Sequence, residues 1–119
     1  MAVIAAVRTE GEGRTYRYTW DLMAGGDSGE PVTIPGAADK TVQISGTFGT
    51  STVAIQGGLD ASDAGVYNNL TDPQGNAIAA IAAGALESIT ENTTWIKPVV
   101  AAGTGTPIKV VLLCRGTMS

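Results

Sequence analysis

The side chains that could do acid–base work as pairs are carboxylates: Asp21, Asp27, Glu30, Asp39, Asp60, Asp63, Asp72, Glu87 and Glu91. Two of them, held at a set separation across a cleft, would supply the acid and base of a glycosidase. The chain contains no histidine. That removes the commonest general base and metal ligand, and with it any Ser/His or Cys/His nucleophile. DASDAG, Asp60 to Gly65, begins with the Asp, Ser and Gly offsets of a calcium loop. Its fifth position is Ala64, however, and Thr71 stands where a bidentate glutamate belongs, so a solvated acidic turn is expected instead. AAGTGTP has glycines without the Gly-Lys-Ser/Thr of a phosphate loop, and a hairpin turn accounts for them. No enzyme, metal or cofactor is expected.

The aromatic residues have two readings. Tyr16, Tyr18 and Trp20 alternate in RTYRYTWD and so share one face of a strand. They form either a core row or a platform on which sugar rings stack, and Trp95 has the same two readings. Cys114 is the single cysteine and lies in the apolar run PIKVVLLCR. It can form no intrachain disulfide and is expected to be a buried structural thiol.

The balance of charge narrows the partners. Net charge is −4, and only 15% of residues are charged against 44% hydrophobic; an average protein carries about 25% charged residues. The basic residues Arg8, Arg14, Arg17, Lys40, Lys97, Lys109 and Arg115 are scattered. A nucleic-acid binder needs a basic stripe to displace phosphate counterions, so direct nucleic-acid binding is not expected. No run approaches the ~20 apolar residues of a transmembrane helix, so no membrane partner is expected either. MAVIAAVRTEGEGR lacks the leading positive charge of a signal peptide, and synthesis in cytoplasm is expected.

The elements that must carry these residues read as strands. RTYRYTWD alternates with period two, and VTIP is a short run stopped by Pro35 and Gly36. DKTVQISGTFGTSTVAIQG, Asp39 to Gly57, predicts a hairpin: Val42 and Ile44 on one arm, Val53 and Ile55 on the other, with glycines in the turn. VYNNL predicts a strand, TDPQGNA a tight turn, and AIAAIAAGALESITEN a strand followed by a helical turn or strand near Leu86 to Ile89. TTWIKPVVAAG and PIKVVLLCRG predict two closing strands joined through AAGTGT. In the last of them Val111 and Leu113 make the second face partly apolar, which predicts a central or covered strand. About eight short strands between regular turns predict an all-β chain, a jelly roll or β-sandwich. Residues 1–13 read as an N-terminal arm or an edge strand, and residues 14–119 as a single β-sandwich domain.

The succession ADKTVQISGTFGTSTVAIQGG, NLTDPQGNAI and ITENTTWIKPVVAAGTGTPIKVVLLCRG, spanning about Ala38 to Gly116, resembles the capsid cement or decoration proteins of tailed double-stranded DNA phages. The shared features are strands and turns and name no catalytic residue. GLDASDAGVY departs from that pattern, with Tyr67 near the position of an expected tryptophan. The resemblance implies a virion protein on the outer capsid surface, clamping neighbouring major capsid subunits. It also implies self-association, with a dimer favoured over a trimer. Contact is expected through the apolar lead, Ala2, Val3, Ile4 and Val7, by strand addition, and through Asp60 and Asp63 in the acidic loop. The alternatives are a neck, tail or head-fibre component, and a carbohydrate-binding β-sandwich module using the aromatic strand.

Overall fold

The computed structural model describes residues 3–11, 15–33, 37–59, 67–91 and 93–116. The chain is all-β, two sheets packed face to face. In chain order the strands are β1 (Val3–Ile4), β2 (Val7–Glu10), β3 (Thr15–Met23), β4 (Ser28–Gly29), β5 (Val32–Thr33) and β6 (Ala37–Gly46). They continue with β7 (Val53–Gly58), β8 (Asn68–Asn69), β9 (Ala85–Ser88), β10 (Trp95–Val100) and β11 (Ile108–Gly116). One sheet has the order β1-β4-β10-β7-β8, with β5 also pairing β10; the other has the order β2-β3-β11-β6-β9.

Alternation decides which side chains face inward. On β3 these are Tyr16, Tyr18 and Trp20; on β6 Val42 and Ile44; on β11 Ile108, Val110, Leu112 and Cys114. The opposing sheet contributes Val53 and Ile55 from β7 and Ile96 and Val100 from β10. The largest of these, Trp20, is 1% exposed. Its indole Nε1 donates to the main-chain oxygen of Glu30 at 3.0 Å, and the Tyr18 hydroxyl donates to the oxygen of Thr33 at 3.2 Å. The aromatic row is thus core, with the polar tips of Tyr18 and Trp20 satisfied on the far layer, while the buried Tyr16 hydroxyl has no hydrogen-bond partner among the described residues.

Two expected hairpins are not hairpins. β6 pairs with β11 and β9, whereas β7 pairs with β10 and β8. The chain from Asp39 to Gly57 therefore crosses between sheets, and its two apolar faces meet across the core instead of lying side by side. β10 and β11 likewise belong to different sheets, so AAGTGTP is a second arch. Sheets pack about 10 Å apart, which the linkers 47–52 and 101–107 are long enough to span. The two arches lie against each other: Thr47 N–H bonds Pro107 O and Thr106 N–H bonds Thr47 O, both at 3.0 Å. Gly46, at φ 126°, begins the first crossing in a conformation that L side chains rarely adopt, and a Cβ there would strike the Pro107 carbonyl.

Other departures are smaller. Ile78 to Ile81 forms only an isolated bridge, Val53 opposite Ile81, and no strand. Within VYNNL and VTIP lie the two-residue strands β8 and β5, while Leu86 lies on strand β9. β11 is central, between β3 and β6, as its second apolar face predicts. TDPQGNA is a tight turn: the Asp72 carboxylate accepts from Gln74 and Asn76 N–H, both at 3.0 Å.

The lead segment divides between the layers. β1 runs parallel to β4 in one sheet, and β2 runs antiparallel to β3 in the other. Ala6 N–H bonds Glu30 Oε1 at 3.1 Å, and Glu30 N–H bonds Ile4 O at 2.8 Å. Residues 3–10 therefore lie along one flank of the sandwich as two edge strands, with Ile4 and Ala6 packed against the core. Removing them would take an edge strand from each sheet and not merely shorten a tail.

Candidate interaction surface

The outer face of the β2-β3-β11-β6-β9 sheet carries the most exposed apolar surface set on regular strands. Its registers align two rows across five strands. One row runs Val7, Thr19, Val111, Gln43, Leu86 and the next Thr9, Arg17, Leu113, Thr41, Ser88. Val7 is 64% exposed, Leu86 66% and Leu113 41%, on a face where polar residues usually alternate outward. Leu113 stands between two shallow grooves. One, of about 270 Å³, reaches Thr15, Asp39 and Arg115; the other, of about 220 Å³, reaches Arg17, Gln43 and Leu86. Arg115 and Asp39 close one side with an ion pair at 2.8 Å. Val111 and Leu113 were legible in the sequence as a second apolar face. Leu86 was not, because the strand carrying it is only four residues long and follows an alanine-rich stretch.

The expected contact residues are dispersed. Val3 is 63% exposed and Val7 is exposed beside it on the same flank, whereas Ile4 turns half inward. Ala2, Asp60 and Asp63 lie outside the described residues. Leu59, which leads into the acidic loop, leaves β7 on the opposite side of its sheet from β1.

A third depression, of about 420 Å³, is lined by Gly57, Leu59, Asn68, Asn69, Glu91 and Thr93. Among its described residues Glu91 is the one carboxylate, and it is engaged: it accepts from Thr71 N–H at 2.8 Å and from the Thr71 hydroxyl. Those two bonds hold its carboxyl below the usual carboxylate range. Among the described residues no three His, Cys, Asp or Glu side chains cluster to hold a metal ion.

Cys114 is fully buried, directly opposite Lys40 in the β6–β11 register. Burial pushes its thiol up to about 11, the Tyr16 phenol up to about 12, and the Lys40 amine downward. An activated thiol needs the opposite shift. Outside the core, Lys97 Nζ sits 4.4 Å from the centre of the Tyr67 ring, on the same outer face as half-buried Trp95.

No protein-family model and no curated protein matches the chain. Among solved structures it is similar to the SPBc2 prophage-derived protein YomS, with a TM-score of 0.60 and 14% identity, covering 89% of this chain and 99% of that one. A cupin domain from Bordetella pertussis Tohama I aligns at a TM-score of 0.49 and 13% identity, over 98% of this chain and 99% of that one. A chain from the disulfide-linked pili of Bacillus endospore appendages aligns at 0.46 and 12%, over 97% and 91%. The likeness to YomS is one of fold, and the fold it shares is an all-β two-sheet sandwich.

Proposed function

We propose that the chain is a structural protein of a tailed-phage virion that binds the outer surface of the head shell and cements neighbouring major capsid subunits. It acts by binding alone, without catalysis or cofactor. The observation that carries a binding role is the apolar outer face around Val7, Val111, Leu113 and Leu86, a flat surface suited to another protein. The phage assignment draws on the resemblance of the strand and turn sequences and on a fold shared with a prophage-derived protein. Three of the carboxylates serve the fold: Glu91 holds Thr71, Asp72 its own turn, Asp39 the Arg115 guanidinium. Net charge of −4 suits an outer surface better than one lining packaged DNA. Many identical weak sites on an assembled shell add to a large stabilisation, since the partner binds only the assembled state.

Add-back of purified protein to expanded heads that lack it tests the reading. Saturable binding at hundreds of copies per head, lost on Leu113→Asp, is the expected result. No binding to heads overturns it. Cryo-microscopy of native particles showing about a dozen copies or fewer at one vertex would move the protein to the neck or tail.

A further inference from the structure

We propose that two copies of the chain join edge to edge through β2, forming one continuous sheet across a twofold axis at Thr9. The proposal stands independently of the capsid reading.

β2 is the terminal strand of its sheet, and all four of its residues are exposed. Which of its main-chain groups face outward follows from the turn that leaves it. Gly11 donates its N–H to Thr15 O at 2.9 Å, continuing the register that sets Val7 opposite Thr19 and Thr9 opposite Arg17. Hydrogen-bonded and non-hydrogen-bonded pairs alternate along an antiparallel ladder. The main-chain groups of Val7 and Thr9 therefore serve β3, and those of Arg8 and Glu10 point off the edge. The next outward N–H, on Ala6, is already taken by Glu30.

A second β2 can meet Arg8 and Glu10 antiparallel in few registers. Setting Arg8 opposite its own copy, or Glu10 opposite its own copy, places like charges face to face, which is destabilising. The remaining register sets Arg8 of each copy opposite Glu10 of the other, with Thr9 at the axis. Each such pair adds two main-chain hydrogen bonds and one cross-strand ion pair, and the interface is self-complementary, as a twofold requires. Arg8 is restrained beforehand: its guanidinium lies 4.3 Å from the centre of the Tyr16 ring and pairs with Glu10 of its own chain. Edge charges usually discourage strand addition; at this spacing they select a single partner, a second copy.

Sedimentation equilibrium tests the proposal. The wild-type mass should rise with concentration from 12.0 kDa towards twice that value. Arg8→Glu alone and Glu10→Arg alone should each weaken self-association about tenfold or more, because both cross-strand pairs become repulsive. An equimolar mixture of the two variants should dimerise again, since every acidic position of one then meets a basic position of the other. If Arg8→Glu does not fold for want of its contact with Tyr16, Glu10→Arg read against Glu10→Gln carries the test, with the stronger loss expected for arginine. A wild type that stays at monomer mass, a dimer indifferent to Glu10→Arg, or folded single variants whose mixture does not associate would each overturn it.

Discussion

Thr50 and Thr104, one on each arch, are joined by two reciprocal hydrogen bonds. Thr50 N–H bonds Thr104 Oγ1 at 3.1 Å, and Thr104 N–H bonds Thr50 Oγ1 at 3.0 Å. Each side chain replaces the main-chain partner that a strand would have supplied. Thr50→Val and Thr104→Val should each cost about 0.5–1.5 kcal/mol. The double variant should cost less than their sum, because the two bonds form one unit. Urea unfolding of the four proteins measures the coupling.

Ser51 should matter more than either threonine. It is 1% exposed, and its hydroxyl accepts the buried N–H of Gly105 at 3.0 Å. Ser51→Ala leaves that N–H without its partner, at an expected cost of about 1–3 kcal/mol. Ser51→Thr keeps the acceptor but adds a methyl group. The two unfolding midpoints then separate lost hydrogen bonding from crowding.

Gly29 is the place where β4 meets the largest core side chain. A Cβ there would lie 2.5 Å from Pro98 Cδ and 2.7 Å from Trp20 Cδ1. Pro98 is held in a ring and Trp20 by its bond to Glu30, so neither yields freely. Gly29→Ala should destabilise by about 1–3 kcal/mol and shift the Trp20 fluorescence. An unchanged midpoint would show that β4 can move away from the core.

The Glu91–Thr71 contact gives stability a dependence on acid. The folded carboxyl is held below its ordinary value, so the unfolded chain binds the proton more readily. The contribution is fully present above the unfolded carboxyl range and is lost as pH falls through the folded value. Thr71→Val should lower the neutral-pH midpoint and flatten the decline on acidification. Parallel urea titrations at neutral pH and below about pH 4 check the sign.

Cys114 should resist thiol reagents while the protein is folded. It has no exposed surface, and burial raises its thiol to about 11, so little thiolate exists at neutral pH. Labelling should proceed at the rate of opening and become rapid in denaturant. Fast labelling of the native protein would mean that the Tyr16 end of the sandwich opens readily.

What the sequence by itself determined is the inside and outside of each strand. Tyr16, Tyr18, Trp20, Val42, Ile44, Val53, Ile55, Val110 and Leu112 are buried where period-two alternation places them, since that alternation is a property of one strand alone. The TDPQGN turn was legible for the same reason: Asp72 and Gly75 act within a few residues. Which strand lies beside which was decided only in three dimensions. An arch and a hairpin expose the same alternation, and a six-residue linker with Gly49 in it serves either. The row from Val7 to Leu86 draws on five strands spread between residues 7 and 116, so no local pattern announces it. The tertiary structure chose the arches because both halves of Asp39 to Gly57 bury one apolar face. Across the core, those two faces cover each other.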